Sequence, residues 1–176
     1  GISFYLALVG KFIYNGLSGN IRKERVINVP LSNFKFTRSG LLQTLSSISE
    51  EKVDRIPEGF NNSIRWNVGH ILLMSDELLS ALKGYERVTP ENYKEFFYLG
   101  TSPKTWKGTP PSWKELVEGL EKQARRVEAL LEKGWPDLHS PPKIGDFTFE
   151  TAADVVALVS MHEGLHHGTI KAYAKL

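Results

Sequence analysis

Cysteine is absent from the 176-residue chain. That excludes disulfides, thiolate nucleophiles and thiolate metal sites, so any metal must be held by His, Asp, Glu or backbone oxygen. The absence also fits a reducing cytoplasm. No sign of charge dominates: 22 Lys and Arg stand against 20 Asp and Glu, a formal net charge of +2. Basic residues mixed among acids make no stripe for nucleic acid. Long apolar runs are missing too. A membrane span needs about 20 such residues, and the run Ile2–Tyr14 is short and broken by Lys11. No basic segment precedes that run, as a secretory leader requires. It is expected to form an arm or helix within residues 1–30, packed on one domain over 31–176. There is no internal repeat and no low-complexity tract.

What is present is helical periodicity. Hydrophobic residues make up 41% of the chain and charged ones 24%, enough for a sizeable core. Four segments carry apolar residues at a period near 3.6. The first spans about Ser32 to Ser47, after Pro30, with Phe34, Leu41, Leu42 and Leu45 on its stripe. The second spans about Ser63 to Lys83, with Ser63 as cap and Gly84 as stop. The third follows Pro110 and Pro111. There Ser112-Trp-Lys-Glu115 reads as a capping box, and Leu116, Leu120, Val127 and Leu131 recur until Gly134 and Pro136. The fourth runs from Thr151-Ala-Ala-Asp154, a second capping box, to the end of the chain. The connections Tyr85–Pro111 and Trp135–Glu150 are rich in Pro, Gly and polar residues; Asp146–Phe149 could add a short strand. The spacing predicts an all-α fold, a four-helix bundle.

The fourth segment holds His162-Glu163-Gly-Leu-His166-His167. Residues four apart share one helix face, so His162 and His166 can reach the same ion. His167 lies about 100° around from His166 and is the poorer ligand. The string also matches the H-E-x-x-H of zinc proteases. Beyond His167, however, no His, Asp or Glu follows to complete such a site. A third ligand must come from upstream. His139 sits in a loop-like stretch, Asp137-Leu-His-Ser-Pro-Pro. His70 sits mid-helix, on a face shared with Trp66 and Met74 beside the main apolar stripe. Read alone, His70 is more simply a core histidine held neutral by hydrogen bonds than a ligand.

The stretch Ser63-Ile-Arg-Trp-Asn-Val-Gly-His70-Ile-Leu resembles the second-helix motif of the DinB/YfiT-like superfamily, in which an aromatic precedes a His by four residues. His162-Glu-Gly-Leu-His166-His-Gly168-Thr-Ile is similar to the last-helix pattern H-E-x-x-H-x-G-Q of that family. Phe36-Thr-Arg38 through Leu45 resembles its first helix. The resemblance covers roughly Ser32 to Leu176 and implies that His70, His162 and His166 are metal ligands. Thr169 stands where the family usually has Gln. A three-imidazole site without carboxylate keeps open coordination positions and suits Zn²⁺ or Ni²⁺, with Fe²⁺ as a further choice.

The resemblance also implies a small-molecule enzyme. Relatives include thiol S-transferases that use a low-molecular-weight thiol such as bacillithiol, and metal-dependent hydrolases. Glu163 is expected either to accept a proton from a metal-bound group or, more plainly, to orient a neighbouring His or pair with a surface Lys. Trp66 is expected to line the core or the cofactor pocket. The family often forms dimers, so a homodimer is expected, with neither nucleic acid nor membrane as partner. The alternative is a non-catalytic metal-binding or ligand-sensing bundle.

Overall fold

The structure, a computed structural model, describes the backbone of residues 21–176 and the side chains from residue 29 onward. The arm expected over the first part of the chain lies largely outside the described residues. Six helices are described: α1 (Ile21–Ser46), α2 (Glu50–Val53), α3 (Ile64–Leu79), α4 (Tyr93–Phe97), α5 (Trp113–Leu131) and α6 (Ala152–Tyr173). The fold is all-α, as the periodicity predicts.

Local chemistry explains most boundaries. The Ser63 hydroxyl accepts from the Trp66 N–H and starts α3. Both capping boxes are complete, at Ser112/Glu115 and Thr151/Asp154. Two boundaries differ from expectation. Helix α1 passes through Pro30 instead of starting after it. Proline deletes one backbone bond and crowds the preceding turn, which here interrupts the ladder without ending it. Helix α3 stops at Leu79, ahead of Gly84, because the chain beyond it pairs elsewhere. Lys83 N–H donates to the Asp137 carbonyl at 2.9 Å, and His139 N–H donates to the Ala81 carbonyl at 2.8 Å. The expected strand at Asp146–Phe149 is half of a small hairpin, Lys143–Ile144 (β1) against Phe147–Thr148 (β2), turned by Gly145 at φ +59°.

Helices α1, α3, α5 and α6 form the bundle: α1 packs on α6 and α5, and α3 packs on the same two. Two apolar clusters fill it. One joins Leu41, Leu45, Ile71, Leu116, Leu120 and Ile170; the other joins Phe34, Leu79, Val127, Val155 and Val159. The order of residues through the clusters sets the directions. Helices α1 and α6 run one way, and α3 and α5 run the other. The connection from α3 to α5 must therefore travel the length of the bundle, and it carries α4 across the outer side of α3.

That crossover is seated by a glycine. A Cβ on Gly69 of α3 would lie 2.4 Å from two ring carbons of Phe97, inside any allowed contact. Gly69→Ala gains roughly 1 kcal/mol of helix propensity but overpacks the core by about 1–3 kcal/mol. The expected outcome is a net loss of up to about 2 kcal/mol on urea denaturation. A more stable alanine variant would show that Phe97 does not need this close approach.

Candidate metal centre

Helix α3 brings His70 to the α3–α6 seam, where α6 presents His162 and His166 one turn apart. One ligand nitrogen from each of the three rings lies within 4.8 Å of the others. The ring centroids are 5.2 Å apart for His70 and His162, 4.8 Å for His70 and His166, and 4.7 Å for His162 and His166. His70 is buried and the other two are partly buried. The expected triad is thus assembled from two helices that are distant in sequence.

Hydrogen bonds fix which nitrogen two of the three rings offer. His70 Nδ1 lies 2.7 Å from the Phe97 carbonyl. A carbonyl can only accept, so His70 carries its proton on Nδ1 and leaves Nε2 free. His166 Nδ1 lies 2.8 Å from Asn67 Oδ1. Asn67 Nδ2 donates to the Ser63 carbonyl at 2.8 Å, which sets Oδ1 as the acceptor and leaves Nε2 of His166 free. His162 Nδ1 is buried with no hydrogen-bond partner. Buried polar atoms normally have partners, and this ring lacks the hydrogen bond that orients each of the other two. The residues fit a divalent metal.

The electrostatics agree. Burial pushes His162 and His166 down to about 4, with neighbouring histidines adding to the effect. Burial also lowers His70, against the opposing influence of the Phe97 carbonyl. All three rings are therefore neutral, the ligand form, at pH 7. The sign of the pH dependence follows. Each folded-state pKa lies below its unfolded value near 6.5, so the unfolded chain takes up protons first as pH falls. Metal-free protein is expected to keep full stability above pH 6.5 and to lose it between 6.5 and about 4. Thermal midpoints across that window, with and without zinc, check this; a flat metal-free profile would contradict the buried-neutral assignment.

Trp66 is stacked on His70, with centroids 4.6 Å apart and planes 12° from parallel. Its indole N–H donates to Thr101 Oγ1 at 2.9 Å. It forms a wall behind the ligand and is only 6% exposed. His167 lies off the site, with Nε2 2.7 Å from Thr44 Oγ1. Thr169, at the position usually held by Gln, bonds back to the Leu165 carbonyl on the helix surface. His139 is exposed.

Glu163 is not among the residues whose ligand atoms converge; its carboxylate is held by Arg38. The side chain is fully buried. Arg38 Nε donates to its Oε1 at 3.1 Å and Oε2 at 3.0 Å, and Arg38 Nη2 donates to Oε2 at 2.8 Å. Arg38 continues inward: Nη1 donates to the Leu120 carbonyl at 2.7 Å and Nη2 to Gln123 Oε1 at 2.9 Å. Gln123 Nε2 then donates to Asp76 Oδ1 at 2.7 Å. Asp76 also accepts from the Val88 and Thr89 backbone and from the Thr89 and Tyr85 hydroxyls. One buried polar side chain from each bundle helix thus joins a single network. Sequence reasoning missed this network, and it missed Asn67 and the Phe97 carbonyl as partners of the ligands.

A helical bundle in which three neutral imidazoles converge, two of them oriented by oxygen acceptors, is a candidate metal-binding protein. Comparison with protein families matches residues 33–170 to the DinB superfamily. The match spans most of the chain, and the chain belongs to that superfamily. Among curated proteins, none matches the sequence.

Proposed function

We propose that the protein is a metal-dependent enzyme acting on small electrophiles, a thiol S-transferase in its first reading and a related hydrolase in its second. The observation that supports this is the donor set: three histidines within 4.8 Å of one another and no carboxylate among them. Such a set leaves coordination positions for an anionic ligand. A bound Zn²⁺, Ni²⁺ or Fe²⁺ supplies Lewis acidity, which lowers the pKa of a coordinated thiol or water. The chain's own work is geometric. His70, His162 and His166 hold the ion through the nitrogens left free. Asn67 and the Phe97 carbonyl keep two of those rings in the right tautomer, and Trp66 closes the side behind His70 against water.

The test uses zinc- or nickel-loaded protein with bacillithiol or glutathione and monochlorobimane as electrophile. Metal-dependent conjugation that disappears with chelator is the expected result. No conjugation with any cellular thiol removes the transferase reading. Metal bound without exchangeable water would instead favour a non-catalytic bundle. The buried His70 bonded to a backbone carbonyl suits that alternative as well, but its Nε2 remains available.

A homodimer is also proposed, through the outward face of α6. Ala157, Gly164 and Gly168 are exposed there, with Met161 54% and Leu165 65% exposed. Light scattering is expected to give a dimeric mass, and Leu165→Lys a monomeric one. A monomeric parent protein would refute this. Among the described residues no helix is long and apolar enough to cross a membrane.

A further inference from the structure

We infer that Arg38 and Glu163 are positioning residues for the metal centre: their buried pair fixes the rotation and height of α6 and so aims His162 and His166 at His70. This rests on the metal-binding reading proposed above.

The inference starts from the place of Glu163 in its helix. It follows His162 directly and precedes His166 by three residues. A helix turns as a rigid body, so holding the side chain at 163 sets the direction of both ligands. Glu163 points about 100° away from His162, which puts the fixing contact and the ligands on adjoining faces of α6.

The apolar contacts of the α1–α6 seam cannot supply this direction, and the contact of His167 Nε2 with Thr44 Oγ1 at 2.7 Å is only partly buried. Phe34, Leu41, Val155, Val159 and Ile170 are among the buried apolar residues of these two helices. Apolar burial is non-directional, and small rotations or slides of a valine-rich face change the buried area little. A guanidinium holding both oxygens of a carboxylate is directional. Arg38 is 2% exposed and Glu163 is not exposed at all, so water does not loosen the pair.

Arg38 is itself aimed from behind. The Leu120 carbonyl and Gln123 of α5 hold its other donors, and Gln123 is anchored on Asp76. Asp76 lies on α3, the helix that carries His70. The contacts therefore run from α3 through α5 and α1 to α6, linking the two ligand-bearing helices by a second route that reaches α6 on the face adjoining the ligands. A buried ion pair adds little stability over apolar residues of similar size. Its distinctive property is the fixed geometry.

The test uses the full chain with Co²⁺ as probe. Cobalt affinity comes from competition titration, site geometry from the visible absorption band, and stability separately from urea denaturation. Two variants are compared with the parent. Arg38→Met/Glu163→Leu removes both charges of the pair, and Asp76 keeps its hydrogen bonds from Tyr85, Val88, Thr89 and Gln123. Arg38→Lys keeps the charge but not the fork. The double variant is expected to fold with little change in urea resistance while cobalt affinity falls about 10–100-fold, the range for loss of outer-shell support, and the band changes in position and intensity. Arg38→Lys is expected to give a smaller change in the same direction. A folded double variant with the parent affinity and band overturns the inference. If the double variant does not fold, Arg38→Lys decides, and an unchanged affinity and band there overturns it equally. A parent protein whose cobalt uptake is nil, or is unaffected by His70→Ala, removes the metal reading itself, and this inference with it.

Discussion

His70→Ala is expected to reduce bound metal from about one ion per chain to near none. The variant leaves only His162 and His166, an i,i+4 pair on one helix, with no ligand nitrogen facing them from α3. The same comparison can be read as stability. A ligand that binds only the folded state adds about 4 kcal/mol when present at 1,000 times its dissociation constant. For a chain of this size that is about 8–16 °C in thermal midpoint. The parent protein should show this rise with zinc, and His70→Ala should not. Elemental analysis after dialysis and a pair of thermal scans suffice. A histidine-70 variant that still carries a stoichiometric ion, or a parent midpoint indifferent to zinc, would end the three-histidine account.

Arg38→Ala and Glu163→Ala, made singly, are expected to be among the most damaging substitutions in the bundle. Each strands a charge in a fully buried position, where the penalty is about 3–5 kcal/mol, or about 6–20 °C in midpoint. The Asp76 carboxylate, tied to Arg38 through Gln123, makes a stranded Glu163 worse because no other cation of the network remains nearby. Removing both partners at once should recover most of the loss. Urea denaturation of the two singles and the double forms a closed cycle. Singles that cost less than about 1 kcal/mol would mean that water reaches the pair.

Much of this architecture is legible in the sequence, and the illegible part has a physical cause. The caps at Ser63, Ser112 and Thr151 are local chemistry, so they and the helices they start can be read directly. His162 and His166 are legible for the same reason, since four residues make one turn. His70 is different. Its partners lie about 90 residues away, and only the resemblance singled it out from a core histidine. The Phe97 carbonyl is a backbone atom and leaves no trace in side-chain pattern. The buried network did leave one. Arg38 sits between Phe34 and Leu41, Asp76 between Leu72 and Leu79, Gln123 between Leu120 and Val127, and Glu163 between Val159 and Ile170. Each is a polar residue on an apolar stripe, one per helix, and four such interruptions imply that they meet. The sequence reading weighed Glu163 by its neighbour in the chain rather than by its stripe. Pro30 misled because a lost backbone bond looks the same in sequence whether a helix ends there or runs on.

The crossover from α3 to α5 touches the ligands at two points: Phe97 accepts from His70, and Thr101 accepts from Trp66, which stacks on it. Tyr98, Leu99 and Gly100 form the short span between those anchors. An insertion or deletion in that span would be felt at the ion before the bundle noticed it. Changing the crossover is therefore a way to retune the centre while the four long helices stay as they are.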